Sequence, residues 1–66
     1  MQQGYEKGEE VVMKVKEDGY LYFKWFTIRA AKSDGGPWVY QLNDADRNEY
    51  DRGKWFEEKV LKTPRE

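Results

Sequence analysis

The chain has 66 residues, with 12 Lys and Arg against 13 Asp and Glu, and neither Cys nor His. One domain of this length buries only about 60% of the surface its unfolded chain exposes, so a deep substrate cavity is not expected. The missing residue types remove disulfides, thiolate and imidazole metal sites and the commonest general base. The net charge of −1 argues against a polyanion-binding field over the whole surface.

In chain order, Met1–Gly4 reads as a frayed terminus and Tyr5–Gly8 as a loop ending in a turn. Glu10–Lys16 is the first predicted strand, because Val11, Met13 and Val15 alternate with Val12, Lys14 and Lys16. Glu17, Asp18 and Gly19 follow, and Asp-Gly is a strong hairpin signal since both positions tolerate positive φ. Tyr20–Ala31 is the second strand, dense in aromatic residues and long enough to bend. Tyr20, Tyr22, Lys24, Phe26, Ile28 and Ala30 share one face, and Leu21, Phe23, Trp25, Thr27 and Arg29 the other. Both faces are largely apolar up to Trp25, which predicts a bulge or a bend near Phe23–Trp25, where the buried face would change.

Lys32–Pro37 is the clearest turn, and Trp38–Leu42 the third strand, with Trp38, Tyr40 and Leu42 on one face. Asn43–Lys54 is polar and reads as a loop, or as a short helical turn capped by Asn43 or Asp44. Trp55–Glu57 is a short fourth strand, Glu58–Leu61 a tight turn with Leu61 plugging the core, and Lys62–Glu66 a tail. The competing reading makes Asp44–Lys62 an amphipathic helix, against which Gly53 counts about 1 kcal/mol relative to Ala.

These elements predict an all-β single domain, four to five antiparallel strands rolled into a small barrel with a short closing helical turn, ordered over about residues 5–61. Gly8–Met13 as an opening G-x-x-V strand, the Asp18-Gly19 turn, Trp25–Ile28 with Tyr40–Leu42, and the closing Trp55–Leu61 stretch together resemble a Src-homology-3-like or Tudor-like barrel. Small barrels of chromatin readers and of the C-terminal end of retroviral-type integrases are similar in this pattern. The resemblance spans roughly Tyr5–Leu61 and rests on hydrophobics and turns. It implies a non-catalytic binding module.

The candidate ligand-binding surface is aromatic: Tyr20, Tyr22, Trp25, Trp38, Tyr40, Tyr50 and Trp55, with Asp44 as a nearby acid. Rings converging on one exposed spot beside Asp44 or Asp46 would hold a methylated ammonium by cation–π attraction. The resemblance places such a Tudor cage at the first hairpin and after the third strand, yet Val15-Lys16 and Asn43–Asp46 lack the aromatics expected there. The competing use of the same rings is core and sheet cladding, the ordinary one in so small a domain. Trp38, Trp55 and Tyr50 lie in or beside the longer loops, where a groove for an extended peptide would form.

A nucleic-acid surface is the alternative, with Lys14, Lys16, Lys24, Arg29 and Lys32 as one basic stripe. The acids Asp44, Asp46, Glu49, Asp51, Glu57 and Glu58 weigh against it. Asp44, Asp46 and Asn48 have the spacing that starts a calcium loop, but Glu49 replaces its glycine and Trp55 its last ligand. Ser33 has no histidine to activate it. The expectation is therefore no enzyme, no cofactor and no metal. A protein or peptide ligand leads, a histone tail being one case, followed by nucleic acid and then by a structural or homodimerising role. No apolar run approaches the ~20 residues of a membrane span, and no charged-then-apolar leader opens the chain, which favours a cytoplasmic or nuclear location.

Overall fold

The first hairpin is fixed by its turn. Asp18 and Gly19 both sit in the left-handed region, at φ of 52° and 82°, the pairing that matches the twist of the flanking strands. They join β1 (Glu10–Glu17) to β2 (Tyr20–Lys32) in unbroken register from Glu10 opposite Thr27 to Glu17 opposite Tyr20. The computed structural model describes residues 4–33 and 35–64. It adds β3 (Val39–Asn43), β4 (Phe56–Glu57) and β5 (Leu61–Lys62), all antiparallel, in the order β4-β3-β2-β1-β5. The all-β architecture expected from the sequence is the one observed.

Connectivity explains why this sheet curls. β4 and β5 lie on opposite edges, yet only the short 3-10 turn Glu58–Val60 separates them in the chain. The two edges must therefore approach each other, giving a half-barrel. Its concave side holds Val11, Met13, Val15, Phe26, Ile28, Tyr40, Leu42 and Leu61, with Tyr5, Ala31, Trp38, Tyr50 and Phe56 packed against them. Leu61 plugs the core as the sequence suggested.

Several boundaries and one feature of β2 are corrected. β3 begins at Val39 and β4 at Phe56, one residue later than expected. The bulge lies not at Phe23–Trp25 but between Ile28 and Ala30, where Arg29 is the extra residue against Leu42 and Gln41 of β3. Beyond it the faces exchange, so Ala31 rather than Ala30 lies opposite the buried Tyr40. The apolar character of both faces from Tyr20 to Trp25 thus has another cause: here β1 supplies the core residues Met13 and Val15, while β2 leaves the side chains of both its faces largely uncovered. The helix reading of Asp44–Lys62 fails because Asp51, Arg52 and Gly53 are consecutively left-handed, at φ of 51°, 56° and 81°, which no right-handed helix tolerates. A 3-10 turn, Tyr50–Gly53, stands there instead.

Contacts with the sheet reach Gly4 at one end and Lys62 at the other. Gly4 donates its N–H to the Tyr40 hydroxyl at 3.2 Å and to Glu58 Oε1 at 3.0 Å, and a Cβ at Gly4 would overlap that carboxylate. Lys62 belongs to β5, not to a tail. The predicted fraying of Met1–Gln3 and of Arg65–Glu66, and Asp34 of the Lys32–Pro37 turn, lie outside the described residues. In that turn Ser33 Oγ donates to the Gly36 carbonyl at 2.7 Å.

Candidate functional site: an aromatic hairpin face

Directly opposed residues of an antiparallel pair point to the same side of the sheet. The register therefore places Val12 beside Trp25, Lys14 beside Phe23 and Lys16 beside Leu21 on the convex side, away from the core. β5 brings Lys62 alongside Val12. The result is an outer face of three strands: Lys62, Val12 and Trp25 in one row, Lys14 and Phe23 in the next, Lys16 and Leu21 in the last. A groove of about 900 Å³ crosses it, lined by Val12, Phe23, Trp25, Lys62, Thr63 and Pro64. The Lys62 ammonium stands 5.4 Å from the centre of the Phe23 ring, a cation–π approach.

The concave side of the same hairpin carries Tyr20 and Tyr22. Glu17 organises this side, accepting a hydrogen bond from the Tyr22 hydroxyl and pairing with Lys24 Nζ at 3.5 Å. The hairpin is bare on both sides: Tyr20 is 74% exposed, Leu21 61%, Tyr22 40%, Phe23 54% and Trp25 54%. None of the five belongs to the buried core.

The remaining residues singled out in the sequence go elsewhere. Tyr40, expected on the aromatic surface, is fully buried. Its hydroxyl donates to Glu58 Oε1 at 2.7 Å and accepts from the N–H groups of Gly4 and Tyr5 at 3.2 and 3.3 Å. Trp38 is half-buried against the core. Tyr50 is half-buried too, its ring 4.5 Å from Phe26 and 5.9 Å from Phe56. Trp55 is half-buried, with the Lys32 ammonium 4.3 Å above its ring. Asp44 shapes its own loop, with Oδ1 accepting the N–H groups of Asp46 at 2.9 Å and Asn48 at 3.0 Å. It also borders a smaller depression of about 270 Å³, shared with Glu10, Trp25, Thr27 and Arg47.

Of the eight predicted site residues, then, the hairpin gathers Tyr20, Tyr22 and Trp25, but on opposite sides of one sheet, and Asp44 meets only Trp25. Leu21, Phe23, Val12 and Lys62 were missed. The signal for Leu21 and Phe23 was present as the doubly apolar stretch, there read as a bulge. The basic stripe also divides. Lys14 and Lys16 face outward, Lys24 lies on the concave side, and Arg29 at the bulge is bound to Glu49 at 3.6 Å and Asn43 at 3.2 Å. Among the described residues no three acidic side chains gather as a metal-holding group, and no helix is long and apolar enough to cross a membrane.

Burial and the Glu58 carboxylate raise the Tyr40 phenol above its ordinary value of 10.0. The folded state therefore holds the phenolic proton more tightly than the unfolded state does. The Tyr40 contribution is fully present below about pH 10 and is lost as pH rises from the unfolded toward the folded value. A Tyr40→Phe variant is expected to lose about 1–3 kcal/mol at neutral pH, the cost of one charge-assisted bond and of the hydroxyl acceptor shared by the Gly4 and Tyr5 N–H groups. Its melting temperature should fall less steeply above pH 10 than that of the parent. Parallel melting curves from pH 8 to 11 check both.

Compared with known proteins, this chain matches no family model, no curated sequence and no solved structure.

Proposed function

We propose that this domain is a non-catalytic binding module that takes an extended protein segment on the outer face of the β1–β2 hairpin. One observation carries the reading: Leu21, Phe23 and Trp25, three large apolar side chains on this face, are 54–61% exposed, and the buried core does not include them. Small soluble domains rarely leave contiguous apolar surface bare without an interaction to cover it. Trp and Tyr are the side chains that anchor interfaces. Lys14, Lys16 and Lys62 flank the row, so the segment that fits carries acidic residues between apolar ones.

The resemblance to Tudor-like barrels suggested a methylated tail held in a ring cage. The geometry gives that version no support, because Tyr20 and Tyr22 lie on one side of the sheet and Trp25 on the other, while Tyr40 is buried. A second reading has an observation of its own. Phe23 and Trp25 stand exposed beside Lys14 and Lys62, the combination of stacking rings and cations that binds single-stranded nucleic acid.

Amide-spectrum titrations separate the two. An acidic peptide with alternating aromatic residues, an unmodified and a methylated histone-tail peptide, and an oligothymidylate are each added at 50 and 200 mM salt. The expected result is shifts at Val12, Phe23, Trp25 and Lys62 with the acidic peptide, only modestly weakened by salt. Shifts confined to the oligonucleotide, lost steeply at the higher salt, would transfer the face to nucleic acid. Millimolar silence from every probe would retire the outer face as a ligand site.

A further inference from the structure

We propose that two copies of this chain pair along the free edge of β2, as an antiparallel β2–β2 ladder with its two-fold axis at Phe23. This inference stands on the free strand edge, with Leu21, Phe23 and Trp25 of the outer face as its side-chain contacts, and its test reads the oligomeric state, so it does not depend on the peptide reading above.

β3 joins β2 only from Thr27 to Lys32. From Tyr20 to Trp25, β2 pairs with β1 alone, and among the described residues no other strand lies along its second edge. A strand edge of this kind offers a row of backbone N–H and C=O groups to another chain. Natural sheets blunt such edges with prolines, bulges, inward charges or a covering segment. Of these devices Tyr20–Trp25 keeps only an inward charge, that of Lys24. It contains no proline, and the bulge lies farther along, at Ile28–Ala30. Its one charge, Lys24, is turned back onto Glu17 of the same hairpin.

The sequence of the edge argues for a second copy as the occupant. Antiparallel pairing about Phe23 sets Phe23 against the partner's Phe23 and Leu21 against the partner's Trp25, twice over, all on the convex side. On the concave side it sets Tyr22 against the partner's Lys24, a ring facing an ammonium, so like charges never oppose each other. Such a surface is self-complementary about a two-fold axis, the defining property of an isologous interface. Centring the axis on Tyr22 instead would leave Trp25 without an apolar partner. The pairing joins two half-barrels through one continuous strand ladder and doubles the length of the outer apolar row.

The chain has no cysteine, so single cysteines report the geometry without background. Opposed residues of an antiparallel pair have Cα atoms about 4.5–5.5 Å apart, within disulfide range. Oxidised Phe23→Cys is expected to run as a covalent dimer, whereas Lys14→Cys, one strand away from the axis, stays monomeric. Sedimentation of the unmodified protein should show a species of twice the 8.0 kDa chain mass. Phe23→Lys should reduce it to a monomer that still melts cooperatively, at a temperature that no longer depends on protein concentration. The double variant Leu21→Cys/Trp25→Cys should cross-link as well, which covers the case in which Phe23→Lys fails to fold. A protein that stays monomeric at millimolar concentration overturns the proposal. So does a dimer that persists in Phe23→Lys, or one that cross-links through Lys14→Cys and not through Phe23→Cys. In those cases the peptide titrations still decide the outer face by themselves.

Discussion

Replacing Phe26 with alanine is expected to unfold this domain. Phe26 is only 2% exposed and sits where β2 crosses beneath the Tyr50 turn, its ring 4.5 Å from that of Tyr50. Tyr50 in turn stacks on Phe56 of β4 at 5.9 Å, so one ring connects the central strand to an edge of the sheet. Truncating a buried Phe to Ala costs about 3–5 kcal/mol, from lost transfer energy and the cavity left behind. A single core in a chain of this length rarely supplies more than about 3–5 kcal/mol in total. The far-ultraviolet signal of Phe26→Ala should therefore resemble a denatured chain at 25 °C. A cooperative melt at the parent temperature would mean that Phe26 does not occupy the core.

The opposite outcome is expected one residue earlier. Trp25→Ala should leave the melting curve nearly in place, because substitutions at exposed positions usually change stability by no more than about 0.5 kcal/mol. The same change should weaken the outer-face ligand about 30-fold or more, as expected of an interface anchor worth about 2 kcal/mol. Trp25 earns that role by position, since it lines both the large groove and the smaller depression beside Asp44. Trp55→Ala is the matched control. Its ring lies under Lys32, outside both, and its loss should leave affinity unchanged. Titration of the three proteins with the acidic peptide decides the matter. Equal affinities for parent and Trp25→Ala would remove the outer face from consideration.

Neighbouring residues with opposite fates show what a sequence can and cannot reveal about this protein. The period-2 alternation of β1 and the Asp18-Gly19 turn are local signals, and both could be read directly. The burial of Phe26 and Ile28 followed from the same alternation. What the aromatic residues do was not legible, because the same side chains build a core or cover a partner. Tyr40 and Trp25 have similar local contexts, yet one is sealed by Glu58 and the N-terminal segment while the other is bare. The difference arises from where β3 and β5 stop along their neighbours, which depends on contacts between residues far apart in the chain. For the same reason a doubly apolar stretch suggests a bulge or a bend: alternation cannot tell a strand that changes faces from one left uncovered on both. Lys62 joined the site only because β5 pairs with Val12, a register that no local pattern encodes.

The Tyr40 hydroxyl has a consequence for how the chain reaches this structure. It gathers Gly4, Tyr5 and Glu58, while the Tyr5 hydroxyl reaches the Leu61 carbonyl at 3.4 Å, so the two ends of the described chain are fastened through one another. The β1–β2 hairpin can form as soon as its own residues are available, because all its partners are close in sequence. The fastening has to wait for Glu58 and Leu61, and contacts of such long sequence separation slow folding. During synthesis the bare aromatic hairpin would therefore emerge and persist before the barrel could close. The segment proposed to pair with another chain is thus exposed before the barrel closes and remains exposed after it.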